Sequence, residues 1–172
     1  MALIQGDIFL KARQCYELLQ KAIHYFDEYL QKKLPPKAPE YYKARNLLKE
    51  GQTLYEDILK RARLLLGPIP PYSPPDYEQQ RAQILADNKI IVRGQSLEAI
   101  QDELVGDELL KTMMTAEEIG AYLKHHFQSH GQGKRKLANI KVRMILDKLK
   151  ELLAKGMELR LLAQKYYQSG GE

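Results

Sequence analysis

The chain has 172 residues, with 27 Lys/Arg against 22 Asp/Glu and a formal net charge of +5. That length suits one domain or one domain with an extension, and 44% hydrophobic with 28% charged residues is ordinary for a water-soluble fold. No run of about 18 apolar residues spans a membrane, the first residues lack a basic-then-apolar leader, and a single cysteine, Cys15, excludes an internal disulfide, so a cytoplasmic, reducing compartment is expected.

The first predicted element is a helix over about Leu3 to Lys33. Ile8, Cys15, Ala22 and Tyr29 recur every seven residues, with Ala12, Leu19 and Phe26 between them. That spacing puts them on one helical face, the seam of a heptad pattern. Lys33-Leu-Pro-Pro-Lys-Ala-Pro39 ends the helix, because proline cannot donate the helical hydrogen bond. A second helix is expected from about Pro39 to Leu66. Its seam is Tyr41, Leu48, Tyr55 and Ala62, flanked by Ala44, Gly51, Ile58 and Leu65. Two such helices on a short connection form an antiparallel hairpin over 1–66.

Gly67 to Pro75 holds five prolines in nine residues and reads as a stiff connector over 67–75. The elements beyond it are shorter, and 76–172 reads as a helical bundle forming one compact unit with the hairpin. A helix is expected from Asp76 to about Asn88. Ile90-Ile-Val92 is a brief β-prone run, too short for a sheet of its own. Ser96 can cap a helix to about Val105, closed by Gly106, and Asp107 can cap a short turn through Met114. Thr115-Ala-Glu-Glu118 is a capping box that opens a helix to about Phe127. Ser129 to Gly133 reads as a loop. The last helix is expected from Lys134 to about Tyr167, with Gly156 a place where it can bend. The fold class is all-α: a long antiparallel hairpin, a set of shorter helices and one long C-terminal helix.

The charge is polarised along this order. Residues 1–114 carry 16 basic and 16 acidic side chains, whereas residues 115–172 carry 11 and 6. Clustered Lys/Arg attract phosphate over long range, so the last third points to a polyanion. In the last helix Lys134, Lys141, Lys148 and Lys155 form one stripe and Lys136, Arg143 and Lys150 another, with Ala138, Val142, Ile145, Leu149, Leu152 and Leu153 between. Lysines bordering an apolar seam usually lay their methylene stems on it, and Lys148 and Lys155 fit that role. Lys134, Arg135 and Lys136 stand at the helix entrance, where the dipole disfavours cations and the glycines Gly131 and Gly133 permit close approach. The candidate nucleic-acid contacts are Lys134, Arg135, Lys136, Lys141, Arg143 and Lys150.

Other chemistry finds little support. His125, His126 and His130 fall short of a metal site, which needs three or four ligands. Cys15 lies on a core face and reads as a small hydrophobe. The chain has no phosphate-cradling glycine loop, no nucleophile elbow and no zinc-protease motif. The expectation is a protein that is not an enzyme, with no metal and no small-molecule cofactor. Eleven tyrosines and no tryptophan favour core or interface packing, Tyr25, Tyr29, Tyr41, Tyr42 and Tyr55 lying near the hairpin tip and seam.

Three readings of function follow. A basic helical chain of this length, with Lys134-Arg135-Lys136 and the lysine stripes as backbone contacts, resembles in general form the small helical subunits of CRISPR effector complexes. That resemblance implies contact with an RNA or DNA backbone inside a ribonucleoprotein, beside other protein subunits or copies of itself. Alternatively, Thr115–Leu123 resembles the opening helix of a winged-helix DNA-binding module, Val142–Leu149 its recognition helix and Gly156–Leu161 a wing strand. The third reading is a protein–protein interaction module without nucleic acid. Ala22-x-x-Tyr25 and Tyr55-x-x-Ile-x-x-Arg61-Ala62 are similar to microtubule-interacting-and-transport or tetratricopeptide helices, although no repeat is present.

Overall fold

The structure, a computed structural model, describes residues 2–67, 91–92, 95–130 and 137–170. The fold is all-α. Six helices form among the described residues: α1 (Ala2–Gln31), α2 (Pro39–Leu66), α3 (Leu97–Val105), α4 (Glu108–Met113), α5 (Ala116–His130) and α6 (Leu137–Gln168). The strand pairing among them is two residues deep, β1 (Ile91–Val92) running antiparallel to β2 (Gln95–Ser96) with Ile91 opposite Ser96. The expected helix over Asp76–Asn88 and most of the Pro-rich connector lie outside the described residues.

The chain divides into two compact units, one of Met1–Ile69 with Leu146–Glu172, the other of Pro70–Ile145. The division falls inside α6, whose C-terminal part belongs to the unit that contains the hairpin.

In the first unit α1 and α2 meet along the heptad seams. Ile8, Ala12, Cys15, Leu19, Ala22, Phe26 and Tyr29 are fully buried, and so are Ala44, Ile58 and Ala62 across from them. Fully burying a Leu, Ile or Phe side chain contributes about 1.5–3 kcal/mol, so the seam accounts for the pairing. Gly51 sets the closest approach: a Cβ there would stand 2.7 Å from Leu19 Cδ2. The Cys15 thiol donates to the Gly51 carbonyl at 3.3 Å, and burial pushes its pKa up to about 12, which makes it an inert core group.

The part of α6 in this unit completes a three-helix arrangement. The helix is continuous through Gly156. That glycine lets α6 close on α2, since a Cβ there would lie 2.8 Å from Leu48 Cδ1 and 3.9 Å from Ile23 Cγ1. Tyr166 meets Tyr29 at the end of α1, and Tyr167 meets Tyr41 at the start of α2. α6 therefore runs antiparallel to α2 here.

The hairpin connection has a definite geometry. The Leu34 amide donates to the Tyr29 carbonyl at 3.2 Å and the Lys33 amide to Leu30 at 3.4 Å, with Lys33 at φ 48°. This is the 6→1, 5→2 pattern of a Schellman cap, with lysine in the left-handed position that glycine usually fills. Pro39 opens α2 at a position whose N–H has no helical partner, and Gly67 at φ 76° closes it, its amide bonding Arg63.

In the second unit the caps read at Asp107 and Thr115 are in place. The Asp107 carboxylate accepts from the Leu109 and Leu110 amides at 3.0 and 3.2 Å. Thr115 Oγ1 accepts from the Glu118 amide at 3.1 Å. α3 packs on α5, where Gln101 donates to the Ala116 carbonyl at 3.1 Å. Gly120 makes room for that side chain, for a Cβ there would be 2.6 Å from Gln101 Nε2. The core is Ile100, Leu104, Leu110, Met113, Ile119, Leu123, Ile140, Val142, Met144 and Ile145. Two boundaries differ from the sequence reading. α5 continues through Ser129 and His130, since nothing before Gly131 disrupts a helix. The segment Gly156–Leu161, expected as a wing strand under the winged-helix reading, lies inside continuous helix α6.

Candidate nucleic-acid interface

The six sequence-derived contact residues fare differently. Lys134, Arg135 and Lys136 lie outside the described residues, as does the Gly131–Gly133 loop. Lys141 is engaged within the fold. Its ammonium pairs with Asp107, with side-chain exposures of 16% and 29%. The carboxylate that caps α4 thus also ties down the first part of α6. Burial raises the Asp107 pKa, but the Lys141 hydrogen bond and the Leu110 and Leu109 amides outweigh it and hold the group below its ordinary value.

Arg143 is half-buried and, among the described residues, has no ion pair. Lys150 is exposed, its ammonium 5.8 Å from the centroid of the Tyr55 ring, within cation–π range. Burial is the first cause that raises the Tyr55 pKa; the Asp147 charge adds to it and Arg63 opposes it. Lys148 is half-buried and Lys155 is exposed. Arg160 and Lys165 also lie on α6, without an ion pair among the described residues.

The remaining chemistry-bearing residues are packed. His126 is 3% exposed and stacks on Tyr122, their rings 5.9 Å apart and 15° from parallel. Burial lowers the His125 pKa, which favours its neutral form. Among the described residues no three His, Cys, Asp or Glu side chains form a metal-binding group, and no helix is long and apolar enough to cross a membrane.

A concentration of charge that the linear distribution conceals lies at the hairpin tip. Residues 30–45 carry Lys32, Lys33, Lys37, Lys43 and Arg45 against Glu40 alone. Lys32 pairs with Glu28, while Lys33, Lys37, Lys43 and Arg45 are exposed and, among the described residues, outside any ion pair. The same end holds a tyrosine cluster. Tyr41 stacks on Tyr167 at 4.9 Å, Tyr29 meets Tyr166 edge-on at 5.3 Å, and the Tyr42 and Tyr167 hydroxyls bond at 2.9 Å. Two cations lie over its outer rings, Lys43 at 5.8 Å from Tyr25 and Arg45 at 5.3 Å from Tyr42. Because the balanced charge of residues 1–114 averages this tip with the rest of the hairpin, counting charge by thirds of the chain hides it. A sliding window would have found it; the tyrosines of α6 that complete the cluster would not have been found.

Comparison with known protein families, with curated proteins and with solved structures finds no match to this chain.

Proposed function

We propose that the protein is a non-catalytic helical subunit that contacts the backbone of RNA or DNA within a larger ribonucleoprotein, in the manner of a CRISPR effector small subunit. The observation that carries the reading is the charge balance of residues 115–172, 11 basic side chains against 6 acidic, on an otherwise neutral chain. Cations without carboxylate partners release counterions from phosphate and so drive backbone binding. Arg143, Lys155, Arg160 and Lys165 are such cations on α6. Lys134, Arg135 and Lys136 are the proposed principal contacts, with Arg143 and Lys150 of α6 as further ones. Lys141 is withdrawn from that set by its pairing with Asp107.

The winged-helix alternative is disfavoured, because Gly156–Leu161 supplies helix where a wing strand is required. The test is fluorescence polarisation with labelled oligonucleotides over a salt series. Affinity should be indifferent to base sequence and fall steeply with salt. Changing Lys134, Arg135 and Lys136 to Ala should flatten the log–log slope by about 2–3 units, each phosphate contact contributing about 0.7–0.9. Absence of binding at about 50 mM salt, or binding that ignores salt, would remove the reading.

A further inference from the structure

We infer that the hairpin tip, Lys33 to Arg45 at the junction of α1 and α2, is a second binding site, one for single-stranded nucleic acid. The inference rests on the nucleic-acid reading above but assigns the contact to a different part of the chain. Four observations meet at this tip.

The first is charge without partners. Lys33, Lys37, Lys43 and Arg45 are all exposed, and among the described residues no carboxylate lies within ion-pair distance of them. Glu28, the nearest helical acid on α1, is already engaged by Lys32 at 3.6 Å and by His24 at 3.3 Å. The second is the conformation of Lys33. It occupies the left-handed cap position at φ 48°, where glycine suffers no steric penalty and a lysine does. A cation held there against backbone preference faces outward from the turn, where folding alone would favour glycine.

The third is rigidity. Pro35, Pro36 and Pro39 fix φ through the connection, and Ala38 is anchored by burial and by its amide bonding Pro35 at 2.9 Å. Lys37 is therefore presented on a backbone that loses little freedom on binding. The fourth is the pairing of cations with half-exposed tyrosines, Lys43 with Tyr25 and Arg45 with Tyr42. Cations that track a backbone, alternating with rings that accept bases, are the footprint of single-strand binding. A lipid surface is a poorer fit, because none of the large exposed hydrophobic side chains lies within residues 30–45. An acidic protein would engage the cations but gives the tyrosine faces no role.

The experiment uses the full chain and labelled oligo-dT and oligo-rU. The variant carries Lys33→Gly, Lys37→Gln, Lys43→Gln and Arg45→Gln. A control carries Lys49→Gln, Lys60→Gln and Arg63→Gln, which removes three exposed α2 cations away from the tip. The tip variant should bind at least about 10-fold more weakly and flatten the salt slope by about 2–3 units, at about 0.7 per contact on a single strand. The control should keep the wild-type slope. Lys33→Gly alone should weaken binding without lowering the thermal midpoint, which separates lost contact from lost fold. Wild-type binding that the tip variant matches, while the Lys134–Lys136 variant loses it, overturns this inference and leaves the reading above standing. Wild-type protein that binds neither oligonucleotide at about 50 mM salt overturns this inference, and overturns the reading above as well if duplex DNA and RNA are not bound either. Equal competition by duplex DNA, or stronger association with anionic phospholipid vesicles than with oligo-dT, overturns the assignment to single strands.

Discussion

Asp107 performs two tasks, and replacing it separates them. Its carboxylate caps α4 through the Leu109 and Leu110 amides and pairs with Lys141 of α6. Loss of an N-cap costs about 0.5–2 kcal/mol. The ion pair lies between the exposed case, worth about 0–1 kcal/mol, and the buried case, where removing one partner costs about 3–5 kcal/mol. With exposures of 16% and 29% it should contribute about 1–2 kcal/mol. Asp107→Ala should therefore cost about 1.5–4 kcal/mol at pH 7. Asp107→Asn, which keeps a good cap, should cost about half that. A double-mutant cycle with Lys141→Met should return a coupling of about 1–2 kcal/mol.

The pH dependence follows from the depressed pKa of Asp107. The folded state holds the proton less tightly than the unfolded chain, so the stabilisation is complete above the unfolded value of about 3.9. It is lost as pH falls through the lower folded-state value, and wild type and Asp107→Asn should converge there. Urea unfolding followed by circular dichroism at pH 7 and at pH 3 measures both effects. An Asp107→Ala cost below about 0.5 kcal/mol would refute the reasoning, since even an exposed cap exceeds that. A Lys141→Met change that flattens the nucleic-acid salt slope by a full contact would show that Lys141 serves phosphate instead.

Gly6 and Gly51 make a paired test of the α1–α2 approach. Gly6→Ala meets nothing within 4 Å and should gain about 0.5–1 kcal/mol of helix stability. At Gly51 the same gain is opposed by about 1–3 kcal/mol of overpacking against fully buried Leu19, so Gly51→Ala should be neutral to about 2 kcal/mol worse. Equal gains at the two positions in thermal melts would contradict the close approach. Tyr29 is fully buried and its hydroxyl has no hydrogen-bond partner, so Tyr29→Phe should raise stability by about 1 kcal/mol. Tyr42→Phe, which removes the bond to Tyr167, should instead lower the melting midpoint.

Local chemistry made much of this protein legible. Heptad spacing alone gave both seams of the hairpin, and of the residues assigned to them only Leu65 is left half-exposed. The caps at Asp107 and Thr115 and the start of α2 at Pro39 were equally local, because a cap is a contact between residues two or three apart. The packed role of Cys15 followed from its place on an apolar face. What escaped the sequence depends on partners distant along the chain. Lys141 looks like any other member of its stripe until Asp107, 34 residues earlier, is brought to it. Gly156 reads as a weak point in a helix, and only the approach of Leu48 shows that its missing side chain is what lets α6 close on α2. The tyrosines split the same way: Tyr41 and Tyr42 are neighbours in sequence, whereas Tyr167 reaches both across more than a hundred residues, as Tyr166 does Tyr29. Periodicity and caps are short-range and leave their mark on any window of the chain. Pairing, close approach and the gathering of the tyrosine cluster are set by how helices return to one another, which no window of the sequence contains.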